Sequence, residues 1–160
     1  MSNLTDQELF PLDKSWIIRM GILDLLNGYD DTIEFLEKQE DLGDDLSALH
    51  NALKNWKLKK EIDVGESATL YRFFQFISWK HKLNKKFIKK GSLIKRKIYD
   101  NPEIVNYTIK QLLTLDNNTS QWASASALCG NNGKMENPPY KLKLTYEALE
   151  HWKKAREENK

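Results

Sequence analysis

Three stretches of the sequence combine hydroxyl-bearing side chains with a cation or an amide where a helix is predicted to begin. They are Lys14-Ser15 with Arg19, Gly65 to Thr69 with Arg72, and Thr119-Ser120-Gln121. The first residues of a helix have free backbone N–H groups and a partial positive charge, so they bind phosphate and carboxylate groups. Hydroxyls add short hydrogen bonds, and lysine and arginine add charge-assisted ones. The chemistry that these stretches predict is the binding of an anion.

Each stretch also has a purely structural interpretation. Serine and threonine are among the preferred N-cap residues of helices. Lys14 and Arg19 could lay their methylene groups along a core helix and keep their charges in water. An anion site is favoured only if several of the stretches meet in space, which depends on the elements that position them.

Capping residues and the spacing of apolar residues predict a chain made mostly of helices. The helices are expected at about residues 14–27, 31–43, 44–56, 67–79, 102–115, 119–130 and 145–158. Short strands are expected at 60–64 and 140–144, with a hairpin turning at Gly91. Residues 131–139 read as a loop. The five tryptophans lie on apolar faces and are predicted to be core residues: Trp16, Trp56, Trp79, Trp122 and Trp152.

Length and composition indicate one globular domain. The chain has 160 residues, of which 40% are hydrophobic and 30% charged. It contains neither an apolar run of about 18 residues nor a signal-peptide pattern, so we expect a cytoplasmic protein with no membrane partner. Cys129 is the only cysteine, which excludes an intrachain disulfide, and it is expected to be buried and inert. The three histidines lack ligand spacing, so we expect no metal and no cofactor.

The charge is distributed unevenly. The net charge is +2, yet residues 80–97 contain nine lysines and arginines and no acid. Such a segment attracts nucleic acid, anionic lipid or a phosphorylated metabolite, although it could equally be a solvated lysine-rich surface. It lacks the regular aromatic residues of single-strand binders, which disfavours nucleic acid as the partner.

The order of these motifs resembles the 5-enolpyruvylshikimate-3-phosphate synthase (3-phosphoshikimate 1-carboxyvinyltransferase) family. The first domain of that family opens with Lys-Ser-x-x-x-Arg, which is matched at Lys14, Ser15 and Arg19. Its Gly-Asn-Ala-Gly-Thr-x-x-Arg motif is similar to GESATLYR, which keeps Thr69 and Arg72. The remaining similarities are an Asp-Asp helix at 44–53, an arginine near Arg96, a Ser-Ser-Gln helix start at 119–121, and Pro139-Tyr140. Together they occur in order and are spread over residues 14–149, so the resemblance extends over most of the chain.

The resemblance implies a helix-rich α/β fold, similar to one shortened domain of the inverse α/β barrel of the enolpyruvyl transferases. Residues 1–13 would be a lead-in and 14–160 a single N-terminal-type domain, with the family's C-terminal domain absent. The implied function is the shikimate-3-phosphate-binding half of a transferase in aromatic amino-acid biosynthesis. Its partners would be shikimate-3-phosphate, phosphoenolpyruvate and a missing domain or complementary chain. Because transfer needs a proton donor and a base, and no obvious pair is present, the isolated chain is expected to be inactive.

The resemblance also implies roles for individual residues. Thr119 and Ser120 would bind the phosphate, and Gln121 would lie under the ring. Ser15 and Arg19 would take the carboxylate side, Tyr140 would line the pocket, and Lys14 and Arg96 would face the second substrate. Thr69 and Arg72 would belong to the same substrate-binding site.

Departures from the family pattern keep two other functions open. Glu66 and Ala68 replace the motif's Asn and Gly, and Asn137 replaces a serine. A carboxylate at Glu66 should repel an anionic substrate unless another group pairs with it. The chain could therefore be a degenerate relative that acts as a protein-interaction module or, less in keeping with its motifs, a basic nucleic-acid binder that uses residues 80–97.

Overall fold

The computed structural model describes residues 13–130 and 137–158. The helices are α1 (Lys14–Asn27), α2 (Asp31–Glu37), α3 (Gly43–Asn55), α4 (Ala68–Lys80), α5 (Ser92–Lys95), α6 (Ile109–Leu112), α7 (Gln121–Leu128) and α8 (Lys143–Glu158). The strands are β1 (Glu61–Gly65) and β2 (Lys86–Lys89), and 3₁₀ turns occur at Pro102–Asn106 and Tyr140–Leu142. The chain is thus helix-rich with a small sheet, compatible with the expected α/β class. The predicted lead-in, apart from Asp13, and loop residues 131–136 lie outside the described residues.

Helix α1 forms as its local sequence predicts. The Asp13 carboxylate accepts hydrogen bonds from the backbone N–H groups of Ser15 (2.8 Å) and Trp16 (3.4 Å), and Gly28 ends the helix in a left-handed conformation. Gly21 allows α3 to approach closely, because an added Cβ would lie 3.1 Å from the Leu53 side chain. Helix α1 is buried along most of its length, with α3 and α8 packed against it.

Helices α4 and α7 pack against each other and contribute fully buried aromatic side chains to the core. The rings of Phe73, Phe74 and Phe76 on α4 are fully buried, as is Trp122 on α7. Trp79 stacks on Trp122 with ring centroids 5.7 Å apart. The predicted core role of the tryptophans is confirmed, because Trp56 and Trp152 are also buried and the remaining two pack against the core. This packing fixes the positions of the N-termini of α4 and α7 relative to each other.

The predicted hairpin at Gly91 is wrong. Strand β2 pairs in parallel with β1, in the register Ile62↔Phe87, and α4 forms the connection between the two strands. Phe87 favours this pairing because its ring packs against Trp56 and Tyr71. Residues 92–95 therefore form a short helix with Leu93 buried, rather than a second hairpin strand.

Three further boundaries differ from the prediction. The helix expected at 102–115 is divided, because Thr108 starts a new helix with a capping box to Gln111. Residues 140–144, predicted as a strand, instead form the 3₁₀ turn Tyr140–Leu142 and the first two residues of α8, and Leu142 is buried. Helix α2 ends at Glu37, well before Gly43. None of the described helices is long and apolar enough to cross a membrane.

Candidate functional site

Five of the residues proposed from the sequence line one cleft of about 340 Å³: Thr69, Arg72, Arg96, Thr119 and Gln121. The other lining residues are Asp45, Glu66, Ser67, Ala68 and Asp116. The predicted residues come from three separated segments of the chain, and the fold brings them together by packing α7 against α4. This cleft is the candidate site.

Two helix N-termini open into the cleft. Ser67 caps α4, since its Oγ accepts the N–H of Leu70 at 3.1 Å. At the start of α7, the Gln121 N–H donates to Thr119 Oγ1 at 3.3 Å, and the Ser120 side chain makes no capping bond. The positive ends of both helix dipoles therefore lie at the same place, which favours a negatively charged group.

Arg72 forms the floor of the cleft and is bonded within the protein. Its Nε donates to Asp116 Oδ2 at 3.0 Å and its Nη1 to Gln121 Oε1 at 2.6 Å. The amide Nε2 of Gln121 in turn donates to Thr69 Oγ1 at 2.6 Å. The Arg72 side chain is 6% exposed. Arg72 thus orients Gln121, and through it Thr69, rather than offering a free cation.

Asp116 is the central residue of this network, and the sequence motifs do not include it. Its Oδ2 also accepts Trp122 Nε1 at 2.8 Å, and its Oδ1 accepts the backbone N–H of Tyr99 at 2.9 Å. Asp116 and the two asparagines after it have positive φ angles of 49°, 61° and 66°. Residues 115–118 are therefore a left-handed turn rather than a helix. The sequence signal was Asp-Asn-Asn, the residue types that tolerate this conformation best after glycine.

Glu66 is engaged with the start of α5. Its Oε1 accepts hydrogen bonds from the backbone N–H of Ser92 (2.8 Å) and from the Ser92 hydroxyl (3.3 Å). Gly91 makes this contact possible, because an added Cβ would lie 1.9 Å from the same oxygen. The sequence showed that Glu66 needed a partner, and the structure provides one. The bonds reduce, without removing, its repulsion of an anion.

The other charges at the cleft largely cancel. Asp45 pairs with Lys14 at 2.7 Å, which places Lys14 at the rim although it is not a lining residue. Asp116 pairs with Arg72. For Arg96, which is exposed, no ion pair is found with any described residue. Arg96 is therefore the guanidinium best placed to meet a bound anion.

Arg19 and Ser15 lie away from the cleft. The Arg19 side chain is buried, with Nε donating to Thr145 Oγ1 at 2.7 Å and Nη1 to the Ser15 carbonyl at 2.9 Å. Thr145 Oγ1 donates onward to Ser124 Oγ at 2.8 Å, and the guanidinium lies 5.3 Å from the Phe73 ring centroid. Burial lowers the pKa of Arg19 to about 10. In this conformation Arg19 links α1, α7 and α8 and does not face a ligand.

Two remaining predicted residues are close to the cleft without lining it. Ser120 is half-buried beside Thr119. Tyr140 is 89% exposed, and its neighbour Lys141 donates from Nζ to the Asn118 carbonyl at 2.8 Å. The turn at 140–142 is therefore tied to the left-handed turn that forms one wall.

A second cleft adjoins the first and shares Asp45 and Glu66 with it. It measures about 660 Å³ and is lined mainly by polar residues of α3 and of the strand ends. Asp63 and Lys90 form an ion pair of 2.7 Å in its wall, and Lys90 holds the pKa of Asp63 below its usual value. In residues 13–130 and 137–158, no three His, Cys, Asp or Glu side chains are placed to hold a metal ion.

A scan against protein-family models finds no match for this sequence, and searches of the curated proteins and of the solved structures find none either.

Proposed function

We propose that the cleft binds a small hydroxylated phosphate ester of the shikimate-3-phosphate type. In this proposal the chain is the substrate-binding half of a cytoplasmic enolpyruvyl transferase of aromatic amino-acid biosynthesis, with phosphoenolpyruvate as second substrate. The observation that supports the proposal is that residues from separate sequence motifs lie in the same cleft. The sequence motifs single out Thr69, Arg72, Arg96, Thr119 and Gln121 as anion-binding candidates, and all five line one cleft.

The physical character of the cleft supports such a ligand. Its volume of about 340 Å³ is at the lower end of the range for small-molecule sites. The N-termini of α4 and α7 and the Arg96 guanidinium would receive the phosphate. The Thr119 hydroxyl would also bind the phosphate, and the Thr69 hydroxyl and the Gln121 amide would meet ring hydroxyls. Because Glu66 and Asp45 lie in the same wall, we expect weak binding by the isolated chain.

Catalysis would need groups that this cleft does not offer by itself. Enolpyruvyl transfer requires an acid that protonates the methylene carbon of phosphoenolpyruvate and a base for the attacking hydroxyl. The carboxylates that line the cleft are bonded to Lys14, to Ser92 or to Arg72. A second domain or a complementary chain would therefore supply the acid and the base, and the isolated chain should not turn over.

The proposal is tested by titrating the ¹⁵N-labelled chain with shikimate-3-phosphate and recording amide chemical shifts. We expect saturable shifts at residues 66–72, 96 and 119–121. Arg96→Gln should weaken binding, whereas Lys97→Gln, which removes the same charge from the neighbouring exposed position outside the cleft lining, should not. Equal effects of both variants would indicate general charge attraction and overturn the proposal. A folded protein that shows no shifts would also overturn it and favour the protein-interaction alternative.

A further inference from the structure

Two loops at one edge of the sheet carry nearly the same sequence. Lys57-Leu58-Lys59-Lys60 leads into β1, and Lys82-Leu83-Asn84-Lys85-Lys86 leads into β2. Because the strands are parallel, both loops lie at the same edge. They are joined by the Lys86 N–H, which donates to the Lys60 carbonyl at 2.9 Å, and by Lys85 Nζ, which donates to the Lys59 carbonyl at 2.6 Å. We call residues 57–60 and 82–86 the lysine–leucine edge.

The lysine–leucine edge is a concentrated positive surface. It contains six lysines, and none of the ion pairs found among the described residues involves them. The Lys85 ammonium lies 5.0 Å from the Trp56 ring centroid. Burial, with a smaller contribution from Lys60, lowers the pKa of Lys85. Glu61, the register partner of Lys86 in the sheet, is an acidic neighbour of this surface, and the six lysines still leave the surface with a positive charge suited to an anionic partner.

Each loop also presents a leucine to solvent. Leu58 is 81% exposed and Leu83 is 38% exposed. The loop bearing Leu83 is fixed by hydrogen bonds from the Leu83 N–H to the Ser78 carbonyl and from the Lys85 N–H to Ser78 Oγ, each 2.9 Å. The loop bearing Leu58 is fixed by bonds from the N–H groups of Leu58 and Lys59 to the Asn55 carbonyl. The backbone of both loops is thus fixed, with the Leu58 side chain largely exposed and the Leu83 side chain partly exposed.

We propose that the lysine–leucine edge docks on an anionic lipid surface. The Lys85 ammonium is held by the carbonyls of Trp56 and Lys59, so the other five lysines would contact lipid phosphates and carboxylates. Leu58 and Leu83 would enter the boundary between headgroups and acyl chains. This is peripheral contact by a folded domain and needs no spanning segment, so it departs from the expectation of no membrane partner. It uses a surface separate from the cleft and is independent of the proposed function.

The side chains at this edge favour lipid over nucleic acid. Single-stranded nucleic acid binds by stacking its bases on exposed aromatic rings. The nearby rings of Trp56 and Tyr71 are buried, and both pack against Phe87. Contacts to the phosphates of a duplex come from cations and polar groups rather than from leucine side chains. Exposed leucine flanked by lysine is the combination that an anionic bilayer surface accommodates.

The test is sedimentation of the full chain with phosphatidylcholine vesicles, with and without phosphatidylserine. We expect binding only to the phosphatidylserine vesicles, weakened by salt. The variant Leu58→Ser/Leu83→Ser should bind several-fold more weakly, and Lys59→Gln/Lys60→Gln should lose about fivefold for each lysine. Ile94→Ser and Lys153→Gln, exposed positions outside the edge, serve as matched controls and should bind like the parent chain.

Three outcomes would overturn the proposal. The first is no binding to either kind of vesicle by the folded chain. The second is vesicle binding that the leucine variant retains in full. The third is preferential binding to duplex or single-stranded DNA that is added as a competitor. Thermal melts followed by circular dichroism show that each variant is folded before its binding is compared.

Discussion

Asp24 on α1 joins the two ends of the described chain, because its Oδ1 accepts hydrogen bonds from Trp152 Nε1 and from Arg156 Nη2, each at 2.8 Å. Its Oδ2 accepts from the backbone N–H and the hydroxyl of Thr32 at 2.9 and 2.6 Å. Arg156 also pairs with Asp31 and lies over the Tyr29 ring. One buried carboxylate thereby fastens α8 to α1 and α2.

Asp24→Asn should destabilise the fold strongly. The change removes one of the two carboxylates that Arg156 faces, while Asp31 still pairs with the guanidinium. The loss should therefore lie below the full cost of an unpaired buried charge, and we expect the free energy of unfolding, measured in urea, to fall by about 2 kcal/mol. Asp30→Asn, an exposed neighbour whose side chain caps no helix, is the control and should change stability little. Similar losses for both variants would contradict this account.

The left-handed turn predicts opposite effects for two substitutions at Asn117. This exposed residue has a φ of 61°. Glycine adopts that conformation without steric cost, so Asn117→Gly should raise the unfolding free energy by up to about 1 kcal/mol. Asn117→Val should lower it by about 1 to 2 kcal/mol, because a β-branched side chain is disfavoured there. Denaturant melts of both variants test the prediction, which fails if valine is tolerated as well as glycine.

Gly91→Ala should be costly because of Glu66. The φ of Gly91 is +52°, and the new methyl group would meet the Glu66 carboxylate. We expect a loss of about 2 kcal/mol or more, from backbone strain and a broken cap. Gly28→Ala, also at positive φ but with no atom near the added methyl, should cost less. Combining Gly91→Ala with Glu66→Ala should recover the steric part of the loss. Additive losses would show that Glu66 is not the cause.

Cys129 predicts a specific pH dependence of stability. Burial raises the pKa of its thiol to about 12, from 9.0 for an unperturbed thiol. Its folded-state pKa lies above the unfolded value, so its stabilising contribution is complete below pH 9 and is lost as the pH rises toward 12. We expect the Tm of the parent chain to fall more between pH 8.5 and 10.5 than that of Cys129→Ala. Parallel pH profiles for the two proteins would contradict the assignment.

Cys129 is half-buried, and the raised pKa of its thiol predicts slow alkylation of the native chain by iodoacetamide at pH 8, since the thiolate is the reactive form. Reaction in urea should be much faster, with the unfolded chain as its own control. Rapid modification of the native chain would show that the thiol is accessible and ionised.

Capping residues in the sequence correctly predicted those helices whose ends depend only on residues nearby in the chain. Asp13 and Gly28 bound α1, and Ser67 caps α4, so these helices could be placed from the sequence. The prediction of a hairpin at Gly91 was wrong because strand pairing depends on residues that are distant in the sequence. Phe87 packs against Trp56, which lies about thirty positions earlier in the chain, and no local pattern shows that contact.

The candidate site could be predicted only in part, because some of its residues are marked by local motifs and others by contacts with distant residues. Helix starts rich in hydroxyls pointed to Thr69 and Thr119, and the fold brings them to one cleft. Arg19 resembled a ligand-facing cation, but its bond to Thr145, 126 positions away, places it in the core. Asp116 was missed because its role depends on three groups supplied by Arg72, Tyr99 and Trp122, and none of them can be inferred from a motif.

Helix α4 connects the candidate cleft with the lysine–leucine edge. Its N-terminus opens into the cleft, and its C-terminus leads directly into the loop that carries Leu83. Its 13 residues make a rigid spacer about 20 Å long. A chain resting on a bilayer by its lysine–leucine edge, with α4 along the bilayer normal, would hold the cleft at about that height above the headgroups, beyond two Debye lengths at physiological salt. A small anion could then reach the cleft without crossing the repulsive field of the membrane.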